Sequence, residues 1–379
     1  MSETLILGAR NRVRFIILCP PGGLSDRFAS KGIAFLNLSG LGRMNRSFSR
    51  RPLWLDFLIF SVLACKASLQ VIWAIVRHRP RCVHVVNSNA GARILGAVLL
   101  TRLLPRPILG PLKWILVNHN AGRVFSVDRV FDAFCIRLFH EVVAVSQACK
   151  RLFPPQYHSG IRVIHNGLDL DRFCFEPIKR RIFREHHRLA DGSRALGIIG
   201  RVSEAKGQML VLEALERIQE SHPEADFALF IVGETLPEDK AYEEMLKAFV
   251  DRNDLEKQVH FCGPRDDVHD ILSGFDVLLN ASSAKVSEAM GLSLAEAMAC
   301  ERVVVAPETG GIPELISHGE DGFLFHPDNS ADLAAKLWPI MSELETLGAI
   351  RRRAREKIAS KFSDKRMVAE YIDLYFGRI

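Results

Sequence analysis

Two glutamates eight positions apart give the strongest chemical signal in the sequence. Glu288 stands near the start of the stretch 287–299, Glu296 lies inside its apolar part, and Gly291-Leu292 separates them. This pattern predicts a helix that begins near Gly291, whose free N–H groups and positive dipole end suit a diphosphate. Carboxylates are natural acceptors for paired sugar hydroxyls. Taken alone, the two glutamates could equally be solvated side chains beside a helix start.

Two cations that follow a short apolar run give a second signal. The run 196–199 predicts a buried strand, and the loop 200–207 (GRVSEAKG) comes directly after it. Arg201 and Lys206 would then emerge at the carboxyl end of a strand, where open α/β sheets bind their ligands. A planar guanidinium fork and a mobile ammonium can together neutralise a diphosphate leaving group. Without that position, the pair would be an ordinary solvated loop.

The elements that would position these residues alternate between short apolar runs and helix-like segments. In the first half, the predicted strands are 13–19, 33–38, 82–86, 107–109, 114–117, 142–145 and a short run at Ile161. In the second half, they are 196–199, 227–232, 259–262, 277–280 and 303–306. The predicted helices of the second half are 208–219, 241–249, 268–272, 294–299, 331–341 and 349–376. Such alternation predicts an α/β fold with doubly wound parallel sheets.

The length of the chain predicts two domains. A chain of 379 residues is too long for one ordinary core. The polar, basic stretch 177–194 separates the two alternating halves, so we predict a first domain over residues 1–175 and a second over residues 176–361. Two such Rossmann-like sheets in tandem imply a cleft between the domains, with the ligand beyond the carboxyl ends of the strands.

Composition narrows the classes of protein and of partner. The chain is 48% apolar and 25% charged, as in folded soluble domains. Its net charge of +6 suits anionic substrates or an anionic membrane face. The basic residues are dispersed and no nucleic-acid-binding motif accompanies them, so nucleic acid is not a predicted partner.

The cysteines and the N-terminus bear on the compartment. Eight cysteines lie far apart without a CxxC pair. This argues against a zinc site and against a disulfide framework, and it favours a reducing compartment. No signal-peptide pattern opens the sequence, so we expect a cytoplasmic protein.

The strongly apolar stretch 52–76 allows two interpretations. Asp56, Lys66 and Gln70 interrupt it, and a membrane span needs ~20 mostly apolar residues. One interpretation is an amphipathic helix buried against a sheet; the other is a helix that contacts a membrane surface. We favour the buried helix and keep peripheral membrane contact as the alternative.

Further motifs occur in order along the chain. They are HNGLD at 165–169, IGRVSEAKG at 199–207, IVGE at 231–234, FCGPRDDV at 261–268, the glutamate pair with EAMA, and TGGIPELI at 309–316. Together they resemble the retaining glycosyltransferases of family 4 (glycosyl transferases group 1) over about residues 81–327. The resemblance implies the GT-B fold, in which two Rossmann-like domains face each other across a cleft. It also implies that a C-terminal helix at about 362–379 packs back on the first domain.

The resemblance also implies roles for individual residues. Glu288 would bind hydroxyls of the donor sugar and Glu296 the ribose, while Arg201 and Lys206 hold the diphosphate. His119, in VNHNAG, would face the reacting sugar from the first domain. The other residues expected to bind the donor are Gly22 and Gly23 in a glycine-rich loop, Arg265 near the base, Met290 where an aromatic residue is usual, and the backbone of Gly291 and Leu292.

The mechanism implied by the resemblance is transfer with retention of the anomeric configuration. The nucleotide diphosphate sugar is then a substrate, and neither a cofactor nor a metal is expected. Asp169-Leu170-Asp171 spells D-x-D, a pattern of metal-dependent glycosyltransferases with another fold. Because it follows Asn166-Gly167 at a domain junction, we interpret it as helix capping.

The sequence departs from the family pattern in two places. Cys300-Glu301 replaces the small residue and glycine that often follow EAMA. The segment 20–32 is too short for the long helix that the family places after its first strand, so the acceptor side of the first domain could be reduced.

These observations leave several functions open. The first hypothesis is a hexosyl- or N-acetylhexosaminyltransferase that uses a saccharide or lipid-linked acceptor, in polysaccharide, lipopolysaccharide or glycolipid biosynthesis. A non-catalytic nucleotide-sugar-binding or scaffold protein is a rival from another class. An epimerase or a phosphorylase of the same fold is a third possibility, which product analysis would separate.

Overall fold

The structure of the chain is a computed structural model. It describes residues 5, 6, 9, 16–19, 35–37, 53–86, 94–103, 112–119, 136–286 and 288–377. Gly22, Gly23 and the predicted strand 107–109 lie outside the described residues, and so does the segment 20–32 that we expect to be shortened.

Twelve strands are numbered β1–β12 in chain order among the described residues. They are β1 (Ile17–Cys19), β2 (Phe35–Asn37), β3 (Cys82–Val86), β4 (Lys113–Asn118), β5 (Glu141–Ala144), β6 (Ile161–Val163), β7 (Arg194–Ile199), β8 (Phe227–Val232), β9 (Val259–Gly263), β10 (Val277–Leu279), β11 (Val303–Pro307) and β12 (Phe323–Phe325).

The α-helices of the described part of the chain are numbered α1–α12 in the same way. They are α1 (Leu53–His78), α2 (Leu95–Leu103), α3 (Gln147–Arg151), α4 (Pro177–His186), α5 (Gln208–Ser221), α6 (Lys240–Arg252), α7 (Val268–Gly274), α8 (Leu292–Ala299), α9 (Ile312–Leu315), α10 (Ser330–Ser342), α11 (Gly348–Lys361) and α12 (Asp364–Phe376).

The chain divides into two compact units. The first comprises residues 1–164 and 368–379, and the second comprises residues 165–367. The sequence-based boundaries at 175 and 361 lie within eleven residues of these divisions. Helix α12 begins in the second unit and continues into the first, where Lys113 Nζ donates to the Leu374 carbonyl oxygen at 2.9 Å.

The first unit contains a parallel sheet with the strand order β3-β4-β5-β6 and a parallel pair β1-β2. All six residues of β4 are buried, as expected for a central strand covered on both faces. Trp114 in β4 is fully buried, and its indole nitrogen donates to Thr101 Oγ1 of α2 at 3.1 Å. This unit therefore has a core of its own.

The second unit contains a six-stranded parallel sheet with the order β12-β11-β10-β7-β8-β9. The chain builds outward from β7 to β9 on one side, then returns and builds outward from β10 to β12 on the other. This reversal makes the sheet doubly wound and places a switch point between β7 and β10. The predicted α/β class with Rossmann-like units is confirmed.

The sheet of the second unit separates two hydrophobic cores. Along β8, Phe227, Leu229 and Ile231 point into the core that contains residues of α5 and α10. Ala228, Phe230 and Val232 point into the core that contains residues of α8 and α11. The alternation has the period of two that an extended strand imposes, so β8 reads as a continuous apolar run because both of its faces are covered.

Three elements differ from the sequence-based prediction. The basic stretch 177–194, expected to be a linker, contains α4, whose Phe183 is buried in the second core. The helix predicted over 349–376 is two helices, because the chain turns at Phe362-Ser363, where Phe362 is buried and its carbonyl accepts from Leu168 N at 2.9 Å. The edge strand β12 was not predicted.

The apolar stretch 52–76 forms α1. Ala67, Val71, Ala74 and Ile75 are buried, which confirms a packed face. Among the helices that are described, none is both long and apolar enough to cross a bilayer.

Candidate functional site

The switch point of the second sheet brings two functional loops together. β7 and β10 are hydrogen-bonded neighbours, and the chain leaves their carboxyl ends in the segments 200–207 and 280–291. The first segment carries Arg201 and Lys206, and the second carries Glu288. In doubly wound sheets the crevice at such a reversal is the usual place for a ligand.

Backbone contacts hold the two loops against each other. Ser283 N donates to the Ala205 carbonyl oxygen at 3.1 Å. Gly207 has a left-handed conformation with φ 68°, and a Cβ at this position would stand 2.0 Å from the Ala281 carbonyl oxygen. Only glycine fits such an approach without displacing the neighbouring loop. The positions of Lys206 and Glu288 are therefore coupled through the main chain.

Lys206 and Glu288 form an ion pair at the centre of the site. The Lys206 ammonium contacts Glu288 Oε1, and Ser282 Oγ donates to the same oxygen at 2.8 Å. Both partners are partly accessible: 34% of the lysine side chain and 19% of the glutamate side chain are exposed. A ligand can therefore reach both groups.

The surroundings of Glu288 keep its carboxyl ionised. Burial acts to raise the pKa, but the Lys206 ammonium and hydrogen bonds from Ser282 and Asn280 outweigh it and hold the pKa of Glu288 below its usual range. An ionised carboxylate only accepts hydrogen bonds. Glu288 is thus prepared to accept from hydroxyl groups.

Helix α8 begins beside this ion pair. Gly291 is its N-cap in a left-handed conformation with φ 76°, and no side chain caps the first turn. The Glu288 carbonyl oxygen accepts from Gly311 N at 2.9 Å, which fixes the approach to the helix. The uncapped N–H groups of the first turn and the positive end of the helix dipole favour an anion at this point.

Glu296 lies on α8 in a different environment. Burial raises the pKa of its carboxyl to about 7, and the charge of Arg172 opposes this only in part. Among the described residues, none donates a hydrogen bond to this carboxyl. A half-buried acceptor without a protein donor is suited to hydroxyl groups that a ligand would bring.

Arg201 and Arg265 lie farther from the ion pair. Arg201 Nε is 3.6 Å from Asp239 Oδ2, and about half of its side chain is exposed. Arg265 follows the edge strand β9, and its guanidinium fork contacts both carboxylate oxygens of Asp267, with Nε 2.8 Å from Oδ1. Neither arginine contacts Glu288 or Glu296 in this structure.

Met290 belongs to the hydrophobic core of the second unit. Its side chain is 3% exposed and packs in the core that contains Leu294 and Ile312. Its neighbour Leu292 is exposed and opens α8. The apolar character of Met290 thus supports the loop that carries Glu288.

His119 lies in the first unit, directly after β4. Burial lowers the pKa of its imidazole to about 4, so the ring is neutral near pH 7. A neutral imidazole has one donor and one acceptor nitrogen, which suits a hydrogen bond with a hydroxyl group.

The D-x-D sequence forms a turn. Asp169 Oδ1 accepts from Asp171 N at 3.0 Å and from Arg172 N at 3.1 Å. The predicted helix cap is wrong in one respect, because a turn follows and the next helix, α4, begins only at Pro177. Among the described residues, no group of three or more His, Cys, Asp or Glu side chains could hold a metal ion.

Several residues of the site were not identified from the sequence. Ser282 and Asn280 contact Glu288, Arg172 acts on Glu296, and Asp239 pairs with Arg201. Asn280 and Ser282 had a usable signal, because they follow an apolar strand at its carboxyl end. Arg172 and Asp239 come from distant parts of the chain, and no spacing rule connects them with the site.

A comparison with protein families identifies the second unit. The model of the family described as "Glycosyl transferases group 1" matches residues 193–343. These residues form a glycosyl transferases group 1 domain. The predicted family is thereby confirmed for this part of the chain, whereas the narrower assignment to family 4 stays a prediction.

Relatives of the chain include proteins named as a synthase and as a putative glycosyltransferase. N-acetyl-alpha-D-glucosaminyl L-malate synthase of Bacillus anthracis is 27% identical over 219 residues, which cover 58% of this chain and 54% of that protein. The putative glycosyltransferase EpsD of Bacillus subtilis is 27% identical over 210 residues, covering 55% of this chain and 52% of the relative. The chain thus spans about half the length of these relatives.

Solved structures extend the likeness of the fold beyond the group 1 domain. HepE of Anabaena, crystallised with UDP, has a TM-score of 0.80 at 22% identity and covers 98% of this chain and 95% of its own. A glycosyltransferase from Rickettsia africae has a TM-score of 0.79 at 20% identity, covering 99% of this chain and 93% of its own. The chain therefore has the GT-B type of fold.

Proposed function

We propose that this chain is a retaining glycosyltransferase. It moves a hexosyl or N-acetylhexosaminyl group from a nucleotide diphosphate sugar to a saccharide or lipid-linked acceptor, without a metal ion. The observation that carries the proposal is the Lys206–Glu288 ion pair at the switch point of the group 1 domain, beside the uncapped start of α8. A cation, a helix N-terminus and an ionised sugar-binding carboxylate there match the parts of such a donor.

Each part of the donor has a corresponding group in the second unit. The diphosphate would take the Lys206 ammonium and the first N–H groups of α8 at Gly291 and Leu292. Glu288 would accept from hydroxyls of the sugar, and Glu296 from the ribose. Arg201 would turn from Asp239 to the diphosphate, and Arg265 would lie near the base. Gly22 and Gly23 stay proposed donor-binding residues of the glycine-rich loop. The UDP in the HepE crystals supports a nucleotide ligand for this fold.

The reaction forms one bond and breaks one. The acceptor oxygen bonds to the anomeric carbon on the face from which the nucleoside diphosphate departs, and the bond from that carbon to the phosphate oxygen breaks. A phosphate oxygen takes the acceptor proton. Lys206, Arg201 and the start of α8 stabilise the charge that develops on the leaving diphosphate. Neutral His119 would hydrogen-bond the reacting sugar and orient it.

The names of relatives support a role in building surface saccharides. A putative colanic acid biosynthesis glycosyltransferase of Escherichia coli is 28% identical over 214 residues. We propose a place in polysaccharide, lipopolysaccharide or glycolipid biosynthesis, in the cytoplasm, with peripheral contact at the membrane face where lipid-linked acceptors reside. The N-acetylglucosaminyl group in the name of the Bacillus anthracis relative supports an N-acetylhexosaminyl donor.

Calorimetry with UDP-, GDP- and ADP-sugars tests the donor site. We expect one nucleotide class to bind, and Glu296→Ala to weaken that binding by ~1–3 kcal/mol because a charged acceptor of the ribose hydroxyls is lost. Glu356→Ala, at an exposed glutamate of α11, is the matched control and should bind like wild type.

Different outcomes would favour the rival functions. Failure of folded protein to bind any of the donors would overturn the donor site. Binding without turnover on any acceptor would favour a scaffold. Conversion of the nucleotide sugar in the absence of an acceptor would identify an epimerase. NMR of the product separates retention from inversion at the anomeric carbon.

A further inference from the structure

Helix α1 has a second apolar face that is exposed. Val62, Leu69, Trp73 and Val76 are each at least 56% exposed. At 100° per residue, these four positions fall within a narrow sector on one side of the helix. The buried residues Ala67, Val71, Ala74 and Ile75 occupy the opposite side. Packing of the helix therefore leaves this stripe uncovered.

Helix α2 continues the exposed apolar surface. α1 and α2 pack against each other at Ser68 and Gly96, where a Cβ on the glycine would stand 3.0 Å from Ser68 Oγ. Leu99, Leu100 and Leu103 are exposed and lie three, four and seven positions after Gly96. They therefore lie on the side of α2 that carries Gly96, next to its contact with α1. We call Val62, Leu69, Trp73 and Val76 together with these three leucines the outer face.

Such a surface needs an explanation. Single exposed apolar side chains are normal on a folded protein, but clustered ones mark sites of interaction with proteins or membranes. Seven on two packed helices form a cluster of this kind.

Every charged residue between positions 57 and 127, the stretch that carries the outer face, is basic. Lys66, Arg77, Arg79, Arg81 and Arg102 are exposed beside it. The sequence contains no Asp or Glu between Asp56 and Asp128, although the chain has 44 of these residues. Lys66 and Arg77 flank the stripe itself, and the Arg77 guanidinium lies over the Trp73 ring, 5.9 Å from its centroid.

We propose that the outer face binds an anionic lipid bilayer. The apolar side chains would enter the boundary between headgroups and acyl chains, with α1 lying in the plane of the surface. Lys66 and Arg77 have long side chains that can extend from that depth to lipid phosphates. The exposed cations beside the apolar stripe match the negative potential of such a membrane.

An anionic bilayer explains both features of the surface at once. A second copy of this chain would bring the same cations against one another, because the stretch 57–127 that carries the outer face contains no acidic residue to pair with them. An acidic protein would account for the cations, but it would leave the apolar stripe to be matched separately. The proposal gives the membrane contact of the proposed function a defined surface, and it does not depend on the donor site.

Vesicle flotation tests the proposal. Wild type should float with phosphatidylcholine vesicles that contain phosphatidylglycerol, and much less with phosphatidylcholine alone. The triple variant Leu69→Gln, Trp73→Gln, Val76→Gln should bind the anionic vesicles at least about tenfold more weakly than wild type, because three membrane-buried side chains are lost. Its matched control is Ile178→Gln, Ile182→Gln, Met245→Gln, at equally exposed apolar positions elsewhere (63, 54 and 59%).

A second pair of variants tests the charge. Lys66→Glu, Arg77→Glu should weaken binding to the anionic vesicles by about thirtyfold or more, since each cation near the surface contributes on the order of 1 kcal/mol and two are lost. Arg352→Glu, Lys361→Glu, at exposed cations of α11, makes the same change of net charge and should bind like wild type.

Three outcomes would overturn the proposal. The first is wild type that binds neither kind of vesicle. The second is equal loss of binding in the outer-face variants and in their controls. The third is that wild type forms a dimer but binds no vesicles, whereas the triple glutamine variant is a monomer. This result would assign the outer face to self-association. Calorimetry of the donor is unaffected by any of these, so failure here and failure of the proposed function are distinguishable.

Discussion

Glu288 and Glu296 belong to one short segment, yet their surroundings shift the pKa values of their carboxyls in opposite directions. Lys206, Ser282 and Asn280 stabilise the ionised form of Glu288. Burial of the Glu296 carboxyl outweighs the opposing charge of Arg172, and its pKa rises to about 7. Two carboxyls in different environments can therefore perform different tasks in one site. Glu288 is ionised throughout the physiological range, whereas Glu296 changes its charge within that range.

The opposite pKa shifts of Glu288 and Glu296 predict opposite effects of the two residues on the stability of the fold. The folded state holds the Glu296 proton more tightly than the unfolded chain does, so this residue destabilises the fold increasingly as pH rises from its unfolded pKa towards about 7. Glu296→Gln should therefore leave the free energy of unfolding unchanged at pH 4.5 and raise it by about 1–3 kcal/mol at pH 8. Urea unfolding of both proteins at the two pH values measures this.

Glu288→Gln supplies the control of opposite sign. The contribution of Glu288 is present above its unfolded pKa and is lost as pH falls through its lower folded pKa. At pH 8 this substitution should destabilise the protein, because it leaves the Lys206 ammonium without its carboxylate. Stabilisation by Glu288→Gln, or destabilisation by Glu296→Gln at pH 8, would contradict the assigned environments.

The sequence predicts which residues lie at the site better than it predicts which of them contact each other. Lys206 and Glu288 could be singled out because each follows an apolar strand and belongs to a motif. Their direct contact could not be predicted, since it depends on β7 and β10 being neighbours in the sheet. The pKa of Glu296 depends on burial by residues from several elements, so no local pattern reveals it.

At the scale of elements, a glycine allows the loops after β7 and β10 to pack closely against each other. Gly207 has a positive φ of 68°, and its approach to Ala281 leaves no space for a Cβ. Gly207→Ala should lower the free energy of unfolding by about 1–3 kcal/mol. It should also weaken donor binding, because the loop that carries Lys206 must move away from Glu288. Urea unfolding and calorimetry on the same variant measure the two effects.

Gly348→Ala is the matched control for this substitution. Gly348 has φ −56° at the start of α11, and nothing lies within 4 Å of a Cβ there. We expect neutrality or a gain of up to about 1 kcal/mol. If Gly207→Ala were as stable as Gly348→Ala and bound donor equally well, the coupling of the two loops through this contact would be wrong.

The strands of the second unit were predictable because their apolar runs are buried on both faces. β8 was predicted with its observed bounds, and β7, β9, β10 and β11 within two residues at either end. The edge strand β12 was not predicted, although it has the same length of three residues as β10. Helix α4 was not predicted because most of its surface is polar. Its Arg180 and Arg184 pair with the buried Asp276. A partner about ninety positions away gives no local signal.

At the scale of the whole molecule, α12 connects the two units. Its first residue, Asp364, donates its N–H to the Leu168 carbonyl oxygen in the second unit. Farther along, Tyr371 is fully buried in the first unit and stacks on His84, with their centroids 5.4 Å apart. The bond at Leu168 and the turn at Phe362-Ser363 set the direction of this helix. A continuous helix over 349–376 was predicted because both of its parts have helical periodicity, and the turn depends on burial of Phe362.

The last part of α12 belongs to the first unit. A substitution of a core residue there should therefore weaken the first unit selectively. Tyr371→Ala removes a large buried ring and should cost about 3–5 kcal/mol in the first unit. Hydrogen exchange followed by mass spectrometry should then show lower protection of β3–β6, while β7–β12 keep the protection of wild type, because the two units have separate cores. Phe376→Ala, at a side chain that is 56% exposed, is the control and should leave both sheets unchanged. Equal loss of protection in both sheets with Tyr371→Ala would mean that the units unfold together, so that α12 transmits stability between them.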